Sequence, residues 1–294
     1  MEKIEMMKTK PGFIAALDQS GGSSAKTLKL YGIEESSYNG EDEMFDLIHE
    51  MRTRIMKSKS FTSDKIVGVI LFEQTMNRMV DGKYTSEYLW DKGILSFLKV
   101  DKGLADLANG VQVMKDIPGL EDTLKVAKER GIFGTKMRSV IKEANEVGIK
   151  NVVEQQFEIA KVIASYGLVP IIEPEVSITS PNKQECEEIL KREVANQLEL
   201  LDDGVQVMFK FTIPSVDNYY EDLMSNPHVV KIVALSGGYE KLDACERLSR
   251  NRGMIASFSR ALLEGLSVND TEEEFDKKLA DSIDEIYNAS VNKK

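Results

Sequence analysis

Two cysteines, two histidines, one tryptophan and seven prolines in 294 residues exclude several kinds of protein at the outset. Cys186 and Cys245 are far apart and share no pattern, so the chain offers neither a disulfide framework nor zinc-finger spacing. Both fall on apolar faces of expected helices, where a thiol behaves as a small buried hydrophobe. That usage predicts a cytoplasmic protein. His49 lies in a charged helical stretch and His228 follows Asn226-Pro227 in a turn. A catalytic zinc site needs several nitrogen or thiolate ligands close together, so no metal and no other cofactor is expected. Apolar runs such as 66–72 are far too short to span a bilayer, and residues 1–10 are charged, without the apolar core of a signal peptide. Basic excess is also missing: the net charge of −11 argues against nucleic acid as a partner.

What is present is a soluble globular composition, 42% hydrophobic and 30% charged, in a chain long enough for a sizeable core. The β-rich run 205–214, Val-Gln-Val-Met-Phe-Lys-Phe-Thr-Ile-Pro, reads as a buried strand of a parallel sheet with one lysine, Lys210, inside it. A buried ammonium needs partners or a depressed pKa. A lysine kept partly neutral is a nucleophile for carbonyl carbon, whereas an ion-paired strand lysine is merely structural. Seven further runs of the same kind occur at 13–18, 65–72, 97–101, 132–138, 169–175, 229–236 and 254–260. Helical patterns separate them, among them 42–57, 123–130, two stretches before Gly167 of which the second covers 152–166, 182–201, 217–224 and one opened by Gly237-Gly238. The last helix, over 271–292, begins with the capping box Thr271-Glu272-Glu273-Glu274. Eight strands each followed by helix predict an α/β fold, a single (β/α)8 barrel over 1–294. A doubly wound sheet is the alternative, but no Gly-x-Gly-x-x-Gly follows a strand.

In such a barrel the site lies at the C-terminal ends of the strands. Here those ends carry Asp18, Glu73, Lys99 and Asp101, Lys136 and Arg138, Glu173 and Glu175, Lys210, Ser236, and Ser259 with Arg260. Side chains two apart share a face. Strands four, five and six are neighbours about 4.8 Å apart, so Lys136, Glu173 and Lys210 can converge. The Lys136 charge is expected to help keep Lys210 neutral, while Glu173 handles protons. That grouping suits amine attack on a ketone, loss of water, and an iminium that takes up the electrons of a broken carbon–carbon bond. The loops after strands seven and eight, the usual phosphate site of this fold, read Ser236-Gly237-Gly238 and Ser259-Arg260; Ser20, Ser23, Lys99 and Arg138 can hold a second phosphate across the mouth.

These blocks, with Ala16-Leu17-Asp18-Gln19-Ser20-Gly21-Gly22-Ser23, Val169-Pro170-Ile171-Ile172-Glu173-Pro174-Glu175, Leu235-Ser236-Gly237-Gly238 and Ser257-Phe258-Ser259-Arg260, occur in family order between Gly12 and Leu262. On them the chain resembles class I fructose-bisphosphate aldolase. The resemblance implies a metal-independent lyase of glycolysis and gluconeogenesis that cleaves fructose 1,6-bisphosphate to dihydroxyacetone phosphate and glyceraldehyde 3-phosphate. It implies Lys210 as the Schiff-base lysine, Glu173 as proton donor and acceptor, Asp18 as base for the C4 hydroxyl, Lys136 as its positioner and Glu175 as an acid beside Lys210. It places Ser236, Gly237, Gly238, Ser259 and Arg260 at the C1 phosphate and Ser20, Ser23, Lys99 and Arg138 at the C6 phosphate. The family often forms tetramers. Two departures stand out: Ser259 replaces a glycine common in the family, and no terminal tyrosine for proton exchange follows, so that step falls to Glu173 or Glu175. An aldolase for tagatose 1,6-bisphosphate, or a non-catalytic barrel that binds sugar phosphates or a protein, are the alternatives. The second would be marked by loss of Lys210, Glu173 or Asp18, and all three are present.

Overall fold

The computed structural model describes residues 2–294. Eight strands, β1 (Phe13–Leu17), β2 (Ile66–Leu71), β3 (Leu95–Lys99), β4 (Gly134–Ile141), β5 (Val169–Val176), β6 (Val207–Thr212), β7 (Val229–Leu235) and β8 (Ile255–Ala256), follow one another in chain order. Every hydrogen-bonded pair among them is parallel. β8 packs beside β1 and brings the ring round to a nearly closed barrel with helices outside it.

The period-2 alternation of the strands sorts side chains into two cores. Phe13, Ala15 and Leu17, with their counterparts on the other strands, face the surrounding helices. Ile14, Ala16, Leu95, Phe97, Val169, Ile171 and Met208 fill the barrel interior. Met7, fully buried on the helix Glu2–Thr9, packs with this inner set and stops the lower end. The inner columns therefore begin apolar and end polar, so that Ile14 and Ala16 lead to Asp18, Phe97 to Lys99, Ile171 to Glu173 and Met208 to Lys210. The bottom is a dry plug, and the top carries the charges.

Several elements differ from the sequence reading. The charged segment 2–9 is a helix; it is short and gains its stability from the barrel it plugs. One helix, Glu146–Ser165, replaces the two expected stretches before Gly167, because Asn145 caps its start on Gly148 N–H. The segment 217–224 yields only a 3-10 turn at Glu221–Ser225. Helix Lys241–Ser249 begins three residues beyond Gly238, so Gly237-Gly238 form a turn and not a helix start. β8 is two residues long, and Arg260 already belongs to a four-residue helix. An Asp81-Gly82 turn, both residues at positive φ, joins a small hairpin, and Val111–Gln112 pairs antiparallel with the end of β4. The helix Glu272–Val291 has its capping box between Thr271 and Glu274.

Phe97 occupies the barrel axis and meets Phe133 edge-on, with centroids 5.4 Å apart. Space for it comes from Gly134: a Cβ there would lie 2.1 Å from the Val169 carbonyl oxygen and 2.9 Å from the Phe97 ring. Gly134→Ala should therefore overpack the β4–β5 ladder and destabilise the fold by about 1–3 kcal/mol, measured by urea unfolding; an unchanged midpoint would refute this account of the glycine.

Candidate active site

Every residue given a catalytic or phosphate-binding role lines one cavity of about 910 Å³ at the C-terminal mouth of the barrel; Glu73, also at a strand end, lies outside it and pairs with Lys102 at 3.1 Å. At the cavity floor four side chains alternate in sign. Lys210 Nζ on β6 lies 3.2 Å from Glu173 Oε1 on β5. The other oxygen of Glu173 lies 3.0 Å from Lys136 Nζ on β4, and Lys136 reaches across the mouth to Asp18 Oδ2 at 2.7 Å. All four residues are buried.

The register explains why they meet. Lys136 pairs with Ile171 and Arg138 with Glu173, so the carboxylate stands one step above the lysine on the neighbouring strand; Ile171 in turn pairs with Met208, bringing Lys210 level with Glu173. Burial opposes the charge on Lys136, but Asp18 and Glu173, with Asp101 behind them, overcome it and hold the ammonium well above its ordinary pKa. Burial likewise opposes ionisation of Asp18, and Lys136 and Lys210 outweigh it, holding this carboxyl well below the usual range. Both groups stay charged across the physiological range. The expected cation–cation pressure of Lys136 on Lys210 is not the arrangement found: Glu173 stands between the two ammoniums and touches both.

Glu173 is braced from outside the barrel. Its backbone N–H donates to Gln156 Oε1 at 2.9 Å, and Gln156 Nε2 donates to Ser139 Oγ at 3.0 Å. Gln156 is a fully buried amide in the apolar stripe Val152, Val153, Phe157, Ala160 of its helix. Arg52 is a second such brace, the largest fully buried side chain described. It donates to Thr75 Oγ1 at 2.6 Å, to the Gln19 carbonyl at 2.7 Å and to Gln19 Oε1 at 3.1 Å. The sequence reading passed over both, although a single polar residue within a helix's apolar stripe is a legible signal.

The upper rim divides in two. Lys99 is pinned to Asp101 Oδ1 at 2.8 Å, and Arg138 Nε donates to Glu175 Oε2 at 2.6 Å. Glu175, expected beside Lys210, thus pairs with Arg138. The Ser23 hydroxyl donates to the Ser20 carbonyl and accepts from the Ser20 N–H, which commits it to the turn before helix Gly22–Tyr31. On the other side Ser236-Gly237-Gly238 follows β7, with φ of +61° and +120° at the two glycines. Only glycine enters such conformations freely, and both glycines line the cavity. Arg260 lies over this turn, its Nη2 3.5 Å from where a Gly238 Cβ would stand. It is exposed, and no carboxylate lies within 4.0 Å of it among the described residues. The rim therefore pairs two of its cations and leaves the Arg260 guanidinium open.

Comparison with known proteins bears on the fold and the family. A solved fructose-bisphosphate aldolase from Plasmodium falciparum, crystallised with TRAP and a small-molecule inhibitor, superposes with a TM-score of 0.79 over 99% of this chain and 94% of that one, at 18% identity. A protein of Corynebacterium glutamicum shares the fold more distantly, with a TM-score of 0.55 at 12% identity over 98% and 91% of the two chains. A relative from Clostridium acetobutylicum named fructose-bisphosphate aldolase class 1 is 61% identical over 281 residues, 95% of each chain. The family model for class-I fructose-bisphosphate aldolase matches residues 2–214, which span β1 to β6 and the charged floor of the cavity. The chain belongs to the class I fructose-bisphosphate aldolase family.

Proposed function

We propose that this chain cleaves fructose 1,6-bisphosphate to dihydroxyacetone phosphate and glyceraldehyde 3-phosphate, and catalyses the reverse condensation, through a Schiff base on Lys210, as a step of glycolysis and gluconeogenesis. The observation that carries the reading is the contact of Lys210 with Glu173 at the floor of a cavity sized for a small ligand. A proton passing from Lys210 to Glu173 moves between adjacent partners and leaves the total charge of the four-group chain unchanged. It frees the amine to attack the C2 ketone. Glu173 then returns the proton to the carbinolamine hydroxyl, which departs as water and leaves the iminium.

Asp18 is held ionised by the charges of Lys136 and Lys210, which outweigh its burial, and is the base for the C4 hydroxyl. As it takes that proton the C3–C4 bond breaks, the aldehyde forms, and the electron pair moves into the iminium to give an enamine. Lys136 positions the hydroxyl and stabilises the developing alkoxide. Of the two acids open for protonating the enamine, Glu173 is favoured because it already touches Lys210, whereas Glu175 is committed to Arg138. The C1 phosphate is assigned to the Ser236-Gly237-Gly238 turn, Ser259 and Arg260. The C6 phosphate is assigned to the side of Ser20, Ser23, Lys99 and Arg138.

Metal independence is part of the proposal: among the described residues no three His, Cys, Asp or Glu side chains are grouped to hold a metal ion. No helix among them is long and apolar enough to cross a membrane. Buried, unpaired Cys186 and Cys245 support a cytoplasmic location.

Borohydride reduction in the presence of dihydroxyacetone phosphate should leave one triose phosphate on the peptide containing Lys210. Lys210→Met should lose both that label and cleavage. Label on Lys136 or Lys99, or near-normal cleavage by the variant, would overturn the assignment. Cleavage should survive EDTA; loss on chelation with recovery on zinc would point to a metal mechanism instead. Arg260→Ala should raise KM for the bisphosphate roughly tenfold or more, the value of a charge-assisted hydrogen bond, with the thermal melt unchanged; an unaltered KM would remove Arg260 from the phosphate site.

A further inference from the structure

The residue that departs from the family's glycine, Ser259, is not idle. Gln19 Nε2 lies 2.6 Å from Ser259 Oγ, and which partner donates is decidable from the groups around them. The Gln19 side-chain oxygen faces Arg52 Nη2 at 3.1 Å. A guanidinium has no acceptor, so the atom facing it must be the amide oxygen. The other end of the amide lies 3.4 Å from the Ala16 carbonyl oxygen, which can only accept. Two neighbours of fixed polarity, one on each side, thus set the amide orientation. The amide nitrogen is left facing Ser259, and Ser259 Oγ accepts. Its own proton is not used in that contact, and the residue lines the cavity next to Arg260.

We propose that Ser259 donates this hydroxyl proton to the C1 phosphate of the substrate, and that Arg52 and Gln19 are positioning residues that set its direction. The chain of donors runs one way: Arg52 to Gln19, Gln19 to Ser259, Ser259 to phosphate. Each link polarises the next, which strengthens the last one. The chain also joins two neighbouring loops of the barrel mouth. Gln19 follows Asp18 on the β1 loop, and Ser259 precedes Arg260 on the β8 loop, so the groups at C4 and at the C1 phosphate are tied through one buried cation. The proposal rests on the assignment of the β7 and β8 loops to the C1 phosphate.

The test is steady-state cleavage of two substrates that both carry the C1 phosphate, fructose 1,6-bisphosphate and fructose 1-phosphate, by wild type, Ser259→Ala and Gln19→Glu. Ser259→Ala removes the donor and should raise KM for both substrates by a similar factor, about tenfold, with kcat within about threefold of wild type. Gln19→Glu keeps the size of the side chain but turns it into an acceptor at both ends. It draws the Ser259 proton away from the phosphate and adds a negative charge beside it, so its KM should rise more than that of Ser259→Ala. Thermal melts of both variants should match wild type, since a merely structural hydrogen bond would show there and not in the split between KM and kcat. A KM within twofold of wild type in Ser259→Ala, a rise for the bisphosphate alone, or a Gln19→Glu enzyme as good as wild type would overturn the proposal while leaving the aldolase reading intact. A wild-type chain that cleaves neither substrate would instead remove the reading on which it rests.

Discussion

Four buried charges in alternating order, Lys210, Glu173, Lys136 and Asp18, set the terms for everything around them. Bringing any one of them out of water is costly, and removing one from a buried pair leaves its partner uncompensated at about 3–5 kcal/mol. The group is tolerable only complete, with neighbours within hydrogen-bond reach. That demand falls on the backbone. Three members sit on the adjacent strands β4, β5 and β6, where a one-residue slip would turn each side chain to the wrong face. The fourth comes from β1 and must cross the mouth, which requires the ring to be narrow and filled below. The apolar plug of Ile14, Phe97, Ile171, Met208 and Met7 meets that need. It also closes the floor from below, so the four charges meet solvent only through the mouth.

The same constraint governs how a chain with a net charge of −11 presents itself to anionic sugar phosphates. The cavity is lined by seven cationic side chains (Lys26, Lys99, Lys136, Arg138, Lys210, Lys241, Arg260) and six carboxylates (Asp18, Asp101, Glu173, Glu175, Glu240, Glu264), a local balance of 7 − 6 = +1. Five of these cations are spoken for: Lys99 by Asp101, Arg138 by Glu175, Lys136 by two carboxylates, Lys210 by Glu173 and Lys241 by Glu285. Arg260 is the exposed cation that lies over the turn with the glycine amides. The proposed proton chemistry and the proposed anion recognition thus fall in different parts of the mouth, joined by the strand ends.

The barrel was legible because each strand is a compact apolar run closed by a polar residue, and because the inward column of every such run points to the same place. Lys136, Glu173 and Lys210 could be brought together from strand order alone. Asp18 as their fourth partner could not, since its contact crosses the ring and depends on the barrel's diameter. The helix Glu2–Thr9 escaped notice for a related reason: its own pattern is weak, and Met7 becomes a core residue only once there is a barrel end to close. Strand ends shifted by a few residues, as for β4, read as 132–138 and found at Gly134–Ile141, because apolar runs continue past the ladder into packed loops. The push of Lys136 on Lys210 was misjudged because strand spacing says how near two ammoniums come and not what stands between them.

Arg52 and Gln156 show where the remaining information lay. Each is one polar residue in an otherwise apolar helix face, and each reaches through the outer core to the back of the site, Arg52 to the Gln19 loop and Gln156 to the backbone at Glu173. A polar side chain in such a stripe lowers stability unless its hydrogen bonds are met, so its presence implies a partner on the strand or loop beneath it. The partner cannot be named before the helix is docked, but the existence of a buried polar link can be. In this barrel both links end on segments that carry the proposed catalytic carboxylates, Asp18 and Glu173. The outer helices therefore do more than cover the sheet: they hold from behind the two acids whose charges the floor of the cavity cannot leave unpaired.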